Sequence, residues 1–234
     1  MLVNEDYKLE KMRYLALATD YDGTIATHGQ VDAKTLDALS RFRDTNRKLI
    51  LVTGRHLEEL LQIFPQIHLF DRAVLENGAL LYRPATGEEK VLGERPPEAF
   101  IKALQQRGVH PLAVGRVIVA TWRPHENTVE EVIRELGLNW QIIFNKDAVM
   151  VLPCGLNKTT GLMAALEELQ LSPEKTIGVG DAENDRDFIK ICAYSVAVAN
   201  ALPIVKQEVD WVTKGDRGAG VTELIDRIID SDCS

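Results

Sequence analysis

The sequence has few cysteines and no long apolar run. Its three cysteines, Cys154, Cys192 and Cys233, are odd in number and form no Cys-x-x-Cys pair, so a disulfide framework and a thiolate zinc site are not expected. We expect reduced thiols and a cytoplasmic protein. The longest uncharged stretch, 191–205, is interrupted by polar residues and is shorter than the ~18 apolar residues of a membrane span. Residues 1–11 are rich in charge, which is not typical of a signal peptide.

Positive charge is also scarce. The chain has 27 Lys and Arg against 35 Asp and Glu, which gives a formal net charge of -8. Such a surface repels phosphate backbones, and no run of basic residues offsets it, so we expect no nucleic-acid partner. The five histidines show no metal-ligand spacing. With 234 residues, the chain is long enough for one main domain with a smaller domain inserted in it.

Short apolar runs alternate with amphipathic helical patterns toward both ends of the chain. Strands buried on both faces and separated by helices predict a mainly parallel sheet covered by helices on each side. We predict Asp32 as a helix N-cap, strands at 14–19, 49–52, 73–75, 176–179, 195–199 and 211–213, and helices at 57–64, 158–169, 185–191 and 221–229.

The middle of the chain has a different pattern. It predicts helices at 97–106 and 126–136, and strands at 117–122, 141–144 and 148–152, the last two joined by a tight turn. This arrangement favours an antiparallel sheet with two helices. We therefore predict that residues 84–154 form an inserted, smaller α+β domain, and that residues 1–83 and 155–234 form the main domain.

Four polar segments fall at the end of a predicted strand or at the start of the next helix. The first is Asp20-Tyr21-Asp22-Gly23-Thr24, where two carboxylates two positions apart can point to the same side. The others are Thr53-Gly54-Arg55, Asn157-Lys158, and the acidic segment 180–185. Ligands of α/β proteins bind beyond the carboxyl ends of the strands, so these segments are expected to meet at one site.

Each segment on its own also has an ordinary structural explanation. Asp-Gly is a common turn pair, Thr53 could cap a helix, and a lone Lys158 could be a solvated surface residue. Clustered carboxylates at 181–185 repel one another unless a cation neutralises them, and hard oxygen ligands favour magnesium. The joint occurrence of the four segments is more specific than any one of them.

In this order the four segments resemble the motifs of the haloacid dehalogenase (HAD) superfamily of phosphohydrolases, from about Tyr14 to Ile229. The segments 76–79 (Glu-Asn-Gly-Ala) and 199–201 (Ala-Asn-Ala) resemble its Cof-like branch, which includes many sugar-phosphate phosphatases. The resemblance implies an α/β fold with a parallel-sheet, Rossmann-like core and an inserted cap of the C2 type.

The resemblance also implies roles for single residues. It makes Asp20 the nucleophile that forms an aspartyl phosphate and Asp22 the general acid and base. The remaining implied roles are magnesium binding by the side chains of Asp20 and Asp181 and the carbonyl of Asp22, phosphate binding by Thr53, Gly54 and Lys158, support from Asn184 and Asp185, and substrate contacts from Arg55 and Asn77.

These inferences predict a magnesium-dependent phosphatase that hydrolyses a small phosphate monoester, a sugar phosphate or a hydroxy-acid phosphate. A phosphomutase would use the same residues, and a non-catalytic phosphate-binding module or a phospho-aspartate signalling domain are further alternatives. We expect substrate contacts in the insertion, and its candidate polar groups are Arg116, Arg123, His125, Asn127, Asn145 and Lys146. The sequence does not indicate an oligomeric state.

Overall fold

The structure is a computed structural model that describes residues 14–145 and 147–232. The predictions made for residues 1–11, for Lys146 and for Cys233 therefore lie outside the described residues.

Twelve strands are present in the described ranges. They are β1 (Ala16–Thr19), β2 (Lys48–Val52), β3 (Arg72–Leu75), β4 (Leu80–Arg83), β5 (Glu88–Val91), β6 (Ala113–Val114), β7 (Val119–Trp122), β8 (Trp140–Asn145), β9 (Ala148–Pro153), β10 (Thr176–Gly180), β11 (Tyr194–Ala197) and β12 (Trp211–Val212).

Eight α-helices accompany these strands within the same ranges. They are α1 (Ala33–Asp44), α2 (Leu57–Ile63), α3 (Glu98–Gln106), α4 (Glu126–Glu135), α5 (Lys158–Leu169), α6 (Arg186–Ile191), α7 (Pro203–Lys206) and α8 (Arg217–Asp232). Short 3₁₀ turns, among them Glu76–Gly78, join some of them to the strands.

The larger sheet has eight strands in the order β12-β11-β10-β1-β2-β3-β4-β5. The five neighbouring pairs among the strands β12, β11, β10, β1, β2 and β3 are parallel, as the alternation of strands and helices predicts. All four residues of β1 are buried, which shows that both faces of the sheet are covered. On these faces α1 packs against α8, and α5 packs against α6. The carboxyl ends of β1, β2, β3 and β10 consequently meet at one edge.

The edge of this sheet differs from the sequence-based expectation. Strands β4 and β5 were not predicted, and both pair antiparallel to their neighbours. All four residues of β5 are exposed, so the strand lacks the apolar alternation that would reveal it. The expected insertion at 84–154 thus contains one strand of the larger sheet. We propose that the inserted domain begins after Val91.

The second sheet has four antiparallel strands in the order β6-β7-β9-β8. Helices α3 and α4 pack against each other, and the predicted antiparallel sheet with two helices is present. A separate apolar core holds this unit together, formed by Phe100, Leu104, Val109, Val119, Val129, Val132, Trp140 and Val151. We call residues 92–153 the cap.

Two of the three cysteines lie in the described ranges, and both are free thiols. Cys154 is exposed, whereas Cys192 is buried, and this burial raises the pKa of its thiol to about 12. None of the helices that the structure describes is long and apolar enough to cross a bilayer.

Candidate active site

The four polar segments meet at the carboxyl edge of the larger sheet. Asp20 follows β1 and its backbone amide donates to the carbonyl of Val179 in β10 (3.0 Å). Asp181 follows β10, and Lys158 is the first residue of α5. These three side chains and Asp185 are almost completely buried, with exposed fractions of 0–4%. A buried group of four charged side chains is unusual in a protein interior and marks this edge as a candidate site.

Lys158 is the centre of the charged group. Its Nζ donates to Oδ1 of Asp20 and to Oδ1 of Asp185, both at 2.6 Å. The other oxygen of Asp185 accepts from the backbone amides of Asp181 and Ala182, each at 2.9 Å. Both oxygens of Asp185 are therefore occupied, so this residue orients Lys158 and the loop that follows β10.

Burial and mutual repulsion set the electrostatics of the group. Burial, followed by the nearby Asp185 and Asp181 carboxylates, raises the pKa of Asp20 well above its usual range, although Lys158 acts in the opposite direction. Burial acts to lower the pKa of Lys158, but the carboxylates of Asp185 and Asp20 outweigh it and raise this pKa. The raised pKa of Lys158 favours its charged form, and three buried carboxyl groups share this one cation.

The residues fit a divalent cation with oxygen ligands. One oxygen from each of Asp20, Asp181 and Asp185 lies within 4.8 Å of the others. Asn184 Oδ1 is buried and has no hydrogen-bond partner among the described residues, so it needs a ligand or a bound water. Gly23 leaves space beside the carboxylates, because a Cβ there would lie 2.5 Å from Oδ2 of Asp181. Carboxylate and amide oxygens of this kind suit a hard divalent cation such as magnesium.

Asp22 lies above this group and faces a cavity. Its carboxylate is 40% exposed and is held by Arg55, whose Nε and Nη2 donate to Oδ2 (2.6 Å) and Oδ1 (2.8 Å). Arg55 also pairs with Glu59 and stacks over the ring of Tyr21. The sequence predicted Arg55 as a substrate contact, whereas the structure engages it with Asp22.

Thr53, Gly54 and Asn77 lie close together, because the backbone amide of Asn77 donates to the carbonyl of Thr53 (3.1 Å) and Oδ1 of Asn77 lies 3.5 Å from the Cβ position of Gly54. Thr53 is buried, and its hydroxyl accepts from the backbone amide of Arg55 (3.2 Å). Asn77 donates from its side chain to Sδ of Met150 (3.3 Å) and accepts from Nδ2 of Asn184 (3.2 Å). Asn77 therefore connects the loop after β10 to the cap.

Glu76 is a structural residue of the site whose role the sequence did not indicate. Its carboxylate is fully buried. Oε1 accepts from the backbone amide of Arg116 (2.8 Å), and Oε2 accepts from those of Val117 (2.8 Å) and Ile118 (3.0 Å). Glu76 belongs to the 76–79 segment that resembles the Cof-like branch, and this was its only signal. It joins the edge of the larger sheet to the cap.

Asn200 is a second residue of this kind. Its side chain donates to the carbonyl of Gly23 (2.8 Å) and accepts from the backbone amide of Arg217 (2.7 Å). Asn200 lies in the 199–201 segment, for which the sequence analysis assigned no role. It holds the loop that follows β1 against the start of α8.

A cavity of about 500 Å³ separates the site from the cap. Asp22, Gly54 and Arg55 line it from below, and cap residues line it from above. Of the six polar cap residues predicted as substrate contacts, five lie in the described ranges, and Asn145 is the one of these that lines the cavity.

The other four candidates do not line this cavity. Arg116 forms ion pairs with Glu58 and Glu89. Arg123 contacts the ring of Phe144, and His125 shares a hydrogen bond with the carbonyl of His110 (3.1 Å). Asn127 lines a separate cavity.

Comparisons with known proteins identify the family and the fold of the chain. The sequence profile of a family described as haloacid dehalogenase-like hydrolase matches residues 17–116 and 130–225. The chain is 29% identical over 221 residues to phosphoglycolate phosphatase 2 of Saccharolobus solfataricus, which covers 92% of both chains. A HAD/COF-like hydrolase structure from Plasmodium vivax superposes with a TM-score of 0.81 at 17% identity, covering 97% of this chain and 99% of that one. A subclass IIB sugar phosphatase superposes with a TM-score of 0.71 at 19% identity, covering 90% and 97%.

Proposed function

We propose that this protein is a magnesium-dependent phosphatase that acts on small substrates through an aspartyl phosphate at Asp20. The chain belongs to the haloacid dehalogenase-like hydrolases and is an enzyme that hydrolyses phosphoric monoesters. The observation that carries this proposal is the buried Lys158 between Asp20 and Asp185, beneath an Asp22 that opens onto the cavity. Such a site combines a nucleophile, a cation and a proton carrier.

The first half of the proposed reaction transfers the phosphoryl group to Asp20. A carboxylate oxygen of Asp20 attacks phosphorus, and the bond between phosphorus and the ester oxygen breaks. Asp22 donates a proton to the departing oxygen, so that a neutral alcohol leaves into the cavity. Lys158, with its positive charge fixed by two carboxylates, offsets the negative charge of the transferring group.

The second half releases phosphate. Asp22, now deprotonated, accepts a proton from a water molecule that attacks the phosphorus of the aspartyl phosphate. The bond between phosphorus and the Asp20 oxygen breaks, which regenerates the carboxylate. Arg55 keeps Asp22 at the mouth of the cavity in both steps. Bound magnesium, held by Asp20 and Asp181, would supply the charge that lets a carboxylate approach an anionic phosphate.

The substrates proposed from the sequence are phosphorylated sugars and hydroxy acids. Phosphoglycolate, named for the Saccharolobus relative, belongs to the second class and is the first compound to test. A cytoplasmic location is proposed as well, and the free thiols of Cys154 and Cys192 support it.

The test is phosphate release from a panel of primary phosphate esters, with magnesium and with excess chelator. We expect turnover of at least one ester with magnesium, none with chelator, and none by Asp20→Asn in either condition. Turnover that persists in chelator, or in Asp20→Asn, would contradict the proposal. A product that retains its phosphate at a new position, formed only with a sugar bisphosphate activator, would identify a phosphomutase instead.

A further inference from the structure

The roof of the cavity is one face of the cap sheet. Ala113 pairs with Ala120, Ala120 with Met150, and Trp122 with Ala148, and all five residues line the cavity. Because side chains alternate along a strand, Val119 and Val151 point to the other face, where they belong to the cap core. The register of β6, β7 and β9 thus determines which side chains a substrate meets.

This roof is apolar and has a flat aromatic surface. None of these five residues carries a charge or a hydroxyl group. Thr121 of β7 also lines the cavity, but its hydroxyl already donates to the carbonyl of Pro111 (2.7 Å). Three are alanines, which leave room, and Trp122 remains 52% exposed. An exposed tryptophan in a cavity offers a stacking surface for a planar ring. Hydroxyl groups of a sugar placed against this roof would lose hydrogen bonds to water without replacement.

One polar atom accompanies the apolar roof. Asn145 pairs with Ala148 and also lines the cavity, and its Oδ1 is buried without a hydrogen-bond partner among the described residues. A buried amide oxygen without a partner is costly, so the site favours a ligand that brings a donor to it.

The floor offers little to a second negative charge on the substrate. Among the described lining residues, Arg55 is the one Lys or Arg side chain, and Asp22 and Glu59 already pair with it. The imidazole of His56 is the other basic group that lines the cavity. A two-carbon acid would also fill only a small part of about 500 Å³.

We propose that the preferred substrates are phosphate esters whose leaving alcohol carries a planar, apolar ring with a hydrogen-bond donor, the ring stacking on Trp122 and the donor reaching Asn145. This rests on the proposed phosphatase activity. It replaces the sugar and hydroxy-acid classes expected from the sequence with ring-bearing esters as the preferred substrates. The phosphorus–oxygen bond breaks as described above, and the ring leaves as part of the neutral alcohol.

The test compares four esters of primary alcohols, so that leaving-group chemistry is nearly matched: 3-hydroxybenzyl phosphate, benzyl phosphate, phosphoglycolate and glucose 6-phosphate. We expect kcat/KM for 3-hydroxybenzyl phosphate to exceed that for phosphoglycolate by about tenfold or more, the combined effect of ring burial and stacking. Benzyl phosphate should fall between them, because it lacks the donor.

Three variants and one matched control assign the effect to residues. Trp122→Ala should bring the ratio of kcat/KM between benzyl phosphate and phosphoglycolate down to about one, mainly through KM, and Trp122→Phe should restore most of the ratio. Asn145→Ala should remove the advantage of 3-hydroxybenzyl over benzyl phosphate. The control is Phe144→Ala, because Phe144 is 41% exposed in the same sheet but pairs with Val149 on the opposite face. It should leave the ratios unchanged.

The outcomes separate this inference from the phosphatase proposal. Turnover of phosphoglycolate or glucose 6-phosphate without preference for the ring esters would overturn this inference but not the phosphatase proposal. Equal ratios of kcat/KM between benzyl phosphate and phosphoglycolate in Trp122→Ala and Phe144→Ala would do the same. If no ester is hydrolysed, the phosphatase proposal fails, and calorimetric binding of benzylphosphonate against methylphosphonate still tests the roof. Binding of benzylphosphonate that is no tighter, or that Trp122→Ala does not weaken, would refute the inference.

Discussion

Glu76→Gln tests how strongly one buried side chain joins the larger sheet to the cap. The substitution keeps the shape of Glu76 but replaces one carboxylate oxygen with an NH₂ group. In the protein the two oxygens accept three backbone amides of residues 116–118, at 2.8–3.0 Å. An NH₂ group cannot accept any of them, so at least one buried amide must lose its partner.

The magnitude follows from how the bonds are divided. Oε2 accepts two amides and Oε1 accepts one, so the less damaging orientation places the NH₂ at Oε1, opposite Arg116. One buried donor then faces another donor, which costs about 1–3 kcal/mol. The two remaining bonds also lose the carboxylate charge that strengthens them. We therefore expect the free energy of unfolding to fall by about 2 kcal/mol, a substantial part of the ~5–15 kcal/mol typical of native proteins.

Urea denaturation at neutral pH, followed by circular dichroism, measures this change. The matched control is Glu89→Gln, because Glu89 binds the same residue through the side chain of Arg116 (2.8 Å) at a partly exposed position. A surface pair of this kind contributes at most about 1 kcal/mol. Loss of stability in Glu76→Gln no larger than in Glu89→Gln would show that the buried contact does not hold the cap, and the reasoning would fail.

Three further predictions concern the charged group itself. Asp22→Asn should lower kcat by at least the ~10²–10⁴-fold of one general acid–base step, while the melting temperature stays close to that of the parent; kcat within threefold of the parent would exclude Asp22 as the proton carrier. Lys158→Met should destabilise the magnesium-free protein by about 3–5 kcal/mol, because it leaves buried carboxylates without their cation, and a loss below 1 kcal/mol in urea denaturation would contradict this. Magnesium should raise the melting temperature more at pH 8 than at pH 5. The pKa of Asp20 is raised in the folded protein, so protonation of Asp20 stabilises the fold fully below its unfolded pKa of about 3.9. This stabilisation is lost as the pH rises through the folded pKa. The metal can then bind in place of the proton. Equal thermal shifts at both pH values would refute this competition.

Local sequence was a good guide where a segment contains its own signals. Asp32 was predicted as an N-cap, and its carboxylate accepts from the backbone amides of Lys34 (2.9 Å) and Thr35 (3.0 Å). The predicted helix at 158–169 agrees with α5 at both ends, since Asn157 forms a capping box with Thr160. These signals depend on residues within one turn of each other, which the sequence shows directly.

Sequence was a poorer guide where packing between distant segments decides the structure. Helix α8 begins at Arg217, four residues before the predicted start at 221. Gly218 and Gly220 are unfavourable in a helix interior, but a Cβ on Gly218 would lie 2.1 Å from Oγ1 of Thr35. The glycines permit the close contact of α8 with α1, and only the folded structure reveals that need.

Each of the four polar segments lies beside a buried strand or at the start of a helix. Their order was enough to predict that Asp20, Lys158, Asp181 and Asp185 would meet. Parallel strands end at one edge of a sheet, so the primary structure alone implies this meeting. Family membership, confirmed by the comparisons, was also readable from these residues. Their individual roles remain predictions.

The tertiary structure decided what surrounds that edge. Strand register in the cap placed Trp122, Met150 and Asn145 over the cavity. Outside these strands, Arg116 is held by ion pairs and Arg123 by its contact with Phe144. A shift of one residue in register would reverse the faces of these strands. The predicted tight turn favours the pairing of β8 with β9, but no local signal aligns β7 with β9. The chemistry at the floor was therefore a property of the sequence, whereas the surface presented to the rest of the substrate depended on how the cap folds and docks.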